Sequence, residues 1–165
     1  MNTRTNTDQI DWKQAFAPGF DWVAMAGKGI PPQVPTYAQL VELMPEELGQ
    51  PADKVFRSPD LLMEGTFRLC RRFGITVPSV DFDTYNIEAE AIGQPMVFHS
   101  AIAPDVNRTR PMIRDAADLK KIRTPDFETA GRCPMVVSLF EKAREALGRE
   151  LSMAFCAPFS LAANI

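Results

Sequence analysis

Ile75-Thr76-Val77-Pro78-Ser79-Val80-Asp81-Phe82-Asp83 is short, β-branched and apolar, and it turns acidic at its end. This pattern predicts a buried strand with an irregular start at Pro78 and carboxylates at its C-terminal end. The residues before it form the clearest helix signal in the chain. Ser58 suits an N-cap, Pro59 the first helical position, and Asp60 the positive end of the helix dipole. Leu62, Thr66, Phe67, Leu69, Cys70 and Phe73 trace one face; Arg71 and Arg72 fall in the last turn, and Gly74 suits the residue just past the end.

Further along, Tyr85 to Ile92 resumes a helical spacing and ends at Gly93. Pro95 to His99 predicts a short strand, Ala103 to Pro111 a loop, Asp115 to Ile122 a short helix and Pro125 to Gly131 another loop. A second strong helix opens at Pro134, carries Val136, Val137, Leu139, Phe140, Ala143 and Leu147 as its stripe, and closes at Gly148. Leu151 to Ala157 is almost wholly apolar, as strands buried on both faces of a parallel sheet are. Pro158 ends it, and Phe159 to Ile165 begins another helix.

Upstream, Met1 to Gln9 reads as a frayed or disordered end. Residues 10–50 read as a helical and loop extension: short helical pieces over Ile10 to Met25, a Gly- and Pro-rich loop from Gly27 to Pro35, a further strand near Val34 to Tyr37, then a helix at Glu46 and Glu47 after Pro45. Residues 51–165 then read as successive β/α units. Helices between short apolar strands imply right-handed crossovers and a parallel sheet. Periodicity alone leaves open a doubly wound sheet and a (β/α)8 barrel. The first strand-to-helix turn carries no Gly-x-Gly-x-x-Gly, which weighs against dinucleotide binding.

Composition bounds the function. The chain has 165 residues and a net charge of -3. Its Arg71–Arg72 pair and the Lys120-Lys121-Ile122-Arg123 run are too short for the basic stripe that phosphate contacts need, so no nucleic-acid partner is expected. Cys70, Cys133 and Cys156 are widely spaced and odd in number, which suits reduced thiols in a cytoplasmic protein. No signal peptide is evident, no apolar run approaches the ~20 residues of a membrane helix, and the Asn107-Arg108-Thr109 sequon carries no weight.

Four runs resemble the uroporphyrinogen decarboxylase superfamily. They are Asp83-Thr84-Tyr85-Asn86-Ile87-Glu88-Ala89-Glu90-Ala91-Ile92-Gly93, Ile113-Arg114-Asp115-Ala116-Ala117-Asp118-Leu119, Gly131-Arg132-Cys133-Pro134, and Ala157-Pro158-Phe159-Ser160-Leu161-Ala162. Each is weak alone; their order and spacing together are specific, and they cover the second half of the chain. The resemblance implies the N-terminal part of a (β/α)8 TIM barrel. It also implies one of two chemistries. One is cofactor-free decarboxylation of uroporphyrinogen. The other is methyl transfer between a corrinoid protein and a donor or thiol acceptor, usually at zinc. The decarboxylase branch carries an Arg-Gln-Ala-Gly-Arg motif whose arginines bind the substrate's carboxylates. The corresponding Ala24-Met25-Ala26-Gly27-Lys28-Gly29 has no arginine pair, and Asn86 to Glu90 is closer to the methyltransferase branch.

Asp83 is the candidate catalytic residue. In the decarboxylase branch an Asp in this turn lies under the substrate's pyrrole nitrogens, and the strand end is the catalytic face of a barrel. Capping of the following helix by Asp83 is an equal alternative. Asp81 reads as structural. Asn86, Glu88 and Phe159 are candidate substrate-binding residues, although a core role for Phe159 is as well supported. Glu90 reads as an acid favoured by a helix N-terminus, facing away from Glu88. His99 is the single histidine and has no Cys nearby, so no metal ligand is assigned. Cys156 reads as a buried, inert thiol.

A closed barrel needs ~200–250 residues. The expectation is therefore an N-terminal fragment, inactive alone, with no cofactor of its own and with zinc and the corrinoid protein belonging to the complete enzyme. A second chain or a homodimer completing the barrel, and a non-enzymatic partial barrel binding a partner chain, are the alternatives. The substrate expected is a small molecule or a corrinoid protein.

Overall fold

The computed structural model describes residues 36–149, 151 and 153–165. The expectations for Met1 to Gln9, Ile10 to Met25 and Gly27 to Pro35 lie outside them. Helix α1 is Met44–Leu48, with Pro45 in its first turn and Glu46 and Glu47 beside the positive dipole end. Helix α2 is Ala52–Val55. Helix α3, Pro59–Phe73, forms as its caps dictate. Leu61 donates its N–H to Ser58 Oγ at 3.3 Å, and Gly74 closes the helix at φ 66°, a conformation that glycine takes without steric cost. Arg72 in the last turn pairs with Glu47 of α1 at 2.6 Å.

The second long helix, Cys133–Leu147, packs on α3, and α1 packs on α3 from another side. Met44, Phe56, Leu62, Phe67, Leu69, Val136, Leu139 and Ala143 are buried together in one core. Removing each large side chain of this kind from water contributes about 1.5–3 kcal/mol. Residues 36–48, expected in the N-terminal extension, supply Met44 to the same core.

Three strand expectations are corrected. Residues 75–83 are largely buried but form no ladder, and the chain bends at Thr76 and Val77. Their partner is the segment 36–40. Val77 donates its N–H to Thr36 O at 3.1 Å, and Leu40 donates its N–H to Asp81 Oδ2 at 3.2 Å. The two contacts advance in the same sense along both segments, so the segments run parallel. Side-chain oxygens of Thr76, Thr36 and Asp81 take N–H groups that a ladder would give to carbonyls, and Pro78 has no N–H to give. Val80 and Phe82 still reach the core, with Phe82 edge-on to Phe140 at 5.9 Å.

The second correction concerns Leu151 to Ala157. Its described residues form no strand, and Met153 and Phe155 are 53% and 71% exposed. Apolar composition records what a neighbour could cover; here Leu151 packs on the core and Cys156 is buried, while Met153 and Phe155 between them stay uncovered. The third concerns Pro95 to His99. Its strand shrinks to β1, Met96–Val97, which pairs antiparallel with β2, Asp105–Val106, inside the expected loop. Two residues per strand hold this ribbon where a parallel crossover was expected.

Between α3 and β1 lies helix α4, Ile87–Ala91. With α3 as the third helix and α4 as the fourth, Cys133–Leu147 is α5, and Pro158–Ala163 is α6. The helix expected at Asp115 to Ile122 is a 3-10 turn, Asp118–Lys121. Asp115 accepts the N–H groups of Ala117 and Asp118, which fixes a turn where a helix would otherwise start. Among the described residues no helix is long and apolar enough to cross a membrane.

Candidate functional site

The turn from residue 81 to residue 90 carries four of the acids singled out in the sequence, and the structure gives each a different environment. Asp81 accepts the Leu40 N–H and the Ser79 hydroxyl, the latter at 3.1 Å. Burial pushes its carboxyl up, and those two donors pull it back in part. Asp83 is 8% exposed. Its Oδ1 accepts from Asn86 Nδ2 at 2.7 Å, and its Oδ2 pairs with Arg132 at 2.7 Å. No described backbone N–H of α4 reaches the Asp83 side chain, so the capping alternative is not the one adopted. Burial also pushes the Asp83 carboxyl up, outweighing Arg132 and Asn86, and the nearby Glu90 charge adds to the rise.

Arg132 is the residue that sequence reasoning missed. It stands at the N-terminus of α5, donates through Nη2 to Asp83, through Nε to Glu90 at 2.5 Å, and through Nη1 to Phe56 O at 3.3 Å. Its guanidinium also lies 5.0 Å from the Phe98 ring centre, and the Arg57 guanidinium stacks on the same ring at 3.6 Å. Glu90 was expected only to favour a helix terminus; its carboxylate is instead half of this cluster. Gly131 makes the approach feasible, since a Cβ there would meet Glu90 Cγ at 3.1 Å and the Ala91 nitrogen at 3.2 Å. One signal was available: a cation at a helix N-terminus opposes the dipole, so an arginine there calls for another partner.

The other expected residues are spread out. Asn86 is buried, and besides Asp83 it reaches Pro104 O at 3.2 Å, tying the turn to the chain before β2. Glu88 faces away from Glu90, accepting the Cys156 N–H at 3.0 Å on Oε1, while Oε2 is buried and accepts no hydrogen bond from the described residues. Phe159 is 88% exposed in the first turn of α6, which removes the core alternative. Cys156 is buried but lies in no strand; burial and the Glu88 charge push its thiol up.

Two clefts meet at the exposed Tyr85. The first, about 290 Å³, is lined by Gln39, Glu42, Phe56, Asp81, Asp83 and Thr84 among others. The second, about 390 Å³ and more open, is lined by Asn86, Asp105, Arg108, Phe159, Ser160 and Asn164. The expected catalytic carboxylate thus lies in one cleft and two expected binding residues in its neighbour, with Glu88 lining neither. Among the described residues no three His, Cys, Asp or Glu side chains lie close enough together to hold a metal ion.

No curated protein and no solved structure matches the chain. A family model described as Uroporphyrinogen decarboxylase (URO-D) matches residues 24–165. That family implies a TIM-barrel fold, whereas the described residues form a helix-rich body with two short strands. The match runs through both long helices, the Asp83 turn and the Arg132 cluster, and on that span the chain belongs to the uroporphyrinogen decarboxylase family.

Proposed function

We propose that this chain forms the first β/α units of a uroporphyrinogen decarboxylase-family barrel and serves the corrinoid-dependent methyl-transfer branch. The observation that carries this reading is the lining of the first cleft. Glu42, Asp81 and Asp83 contribute three carboxylates, and no described lining residue is Lys, Arg or His. A substrate rich in carboxylates meets like charge there, and the Ala24 to Gly29 segment supplies no arginine pair. Both oxygens of Asp83 are already engaged, by Asn86 and Arg132. In this reading Asp83 fixes the floor of the ligand cleft, and Asn86 holds the turn in place. Phe159 offers apolar surface to a small molecule or a corrinoid protein, while Glu88, which lines neither cleft, holds the Cys156 N–H. The described residues do not fit zinc, so a zinc ion in this reading is held by other groups.

The decarboxylase reading rests on one observation: Asp83 does line a cleft, as the family's site carboxylate does in the resemblance. Metal analysis of the natural gene product, together with methyl transfer from methylcobalamin, separates the two. Stoichiometric zinc with methyl transfer is the expected result. A metal-free protein that binds a tetrapyrrole would favour the decarboxylase.

A further inference from the structure

A single guanidinium faces two carboxylates inside this protein. Arg132 is 7% exposed and spends its donors on Asp83, Glu90 and the Phe56 carbonyl. These acceptors come from three parts of the chain: the end of α2, the turn before α4, and α4 itself. Among the described residues, the other charged groups near Asp83 include Glu42 and Asp81, which line the same cleft, and Arg57, which shares the Phe98 ring with Arg132. Two negative charges against one positive leave the cluster with an excess of one. The Glu90 contact uses Nε and the Asp83 contact uses Nη2, so each carboxylate holds a separate edge of one planar cation.

We propose that Arg132 is a positioning residue that orients Asp83 at the cleft floor, and that Glu90, by sharing the guanidinium, sets how much of its charge Asp83 receives. Asp83 is then fixed at both oxygens, at one by Asn86 of its own turn and at the other by Arg132 from α5. This inference rests on the reading of Asp83 as the residue facing the ligand, but its central coupling exists without any ligand. Arg132 does not itself line either cleft, so it acts through Asp83.

The test is a carboxyl-carbon NMR titration of Asp83 in the full chain, free of ligand, for the parent protein and for Glu90→Gln, Arg132→Lys and Arg132→Gln. Glu90→Gln frees the guanidinium for Asp83, and the Asp83 midpoint is expected to fall. Arg132→Gln removes the cation, and the midpoint is expected to rise. Arg132→Lys keeps a charge but loses the fork, and is expected to lie between the parent and Arg132→Gln. A residue serving only to staple three segments would change the melting temperature in these variants and leave the Asp83 midpoint where it was; that result would overturn the proposal. If Arg132→Gln does not fold, Glu90→Gln decides alone, because Glu90 is partly exposed and its loss leaves the Asp83–Arg132 pair intact. Absence of methyl transfer by the protein would sink the functional reading and leave the titration result standing.

Discussion

Residues 75–83 and 151–157 are alike in composition, both short and apolar, yet they end in opposite environments. Val80 and Phe82 of the first lie in the core, and the segment 36–40 runs beside them. Met153 and Phe155 of the second face solvent, and among its described residues only Cys156 is buried, with its N–H on Glu88. The difference is one of neighbours. The first run follows α3, which packs on α5, and Phe140 of α5 receives Phe82. The second run follows α5 and meets α4 through the Glu88–Cys156 contact, with Met153 and Phe155 left uncovered. Hydrophobicity sets what burial would contribute, and topology sets whether anything is there to bury against.

The largest test of this contrast is paired truncation. Phe82→Ala is expected to destabilise the protein by about 3–5 kcal/mol, while Phe155→Ala stays within about 0.5 kcal/mol. Urea melts of both variants check this, and equal losses would mean that the second run is buried in solution. A smaller effect is expected from pH, and of the two runs only the first, which carries both acids, contributes to it. Asp81 and Asp83 have folded pKa values raised by burial above the ordinary 3.8. The native state then binds protons more tightly than the unfolded state, so these groups cost stability as pH rises from 3.8 through their folded values. Asp81→Asn, which keeps an acceptor for Leu40, is expected to be more favourable at pH 7 than at pH 4, as melts at the two values would show.

Asp118, outside both runs, has the opposite sign. Lys121 first, at 2.5 Å, and then the Arg114 N–H hold its carboxyl down to about 2. Its contribution is present above 3.8 and is lost as pH falls toward 2, so Asp118→Asn is expected to flatten that acid limb. The smallest effect is on thiol labelling. Cys70 packs against the first run and is pushed up to about 12, chiefly by burial and then by the Asp81 charge. Cys156 is also pushed up, but its neighbours Phe155 and Ala157 are exposed. A disulfide reagent at neutral pH is expected to label Cys156 before Cys70, and the reverse order would show that the second run is the better protected.

Local signals were read well because their physics is local. Ser58 and Gly74 bound α3, and Gly148 closes α5, through hydrogen bonds spanning a few residues. Asp83 was legible for a similar reason, as a carboxylate ending an apolar run before a helix. Its partner was not, because Arg132 lies 49 residues further on, and Glu90 lies 42 residues before that arginine. The expected paired strands failed at the same range. Whether residues 75–83 enter a ladder depends on what Thr36 to Leu40 present to them, and Thr36, Thr76 and Asp81 offer side-chain oxygens in place of carbonyls.

By itself, then, the sequence determined the two long helices, the acidic turn between them, and the runs that mark the family. The tertiary structure alone decided which apolar run is covered, that Asn86 and Phe159 line a different cleft from Asp83, and that one buried guanidinium serves two carboxylates. The reason is the reach of the interactions. Caps and turns close within a few residues and are written in adjacent side chains. Burial and charge pairing join segments whose meeting depends on how every element between them packs.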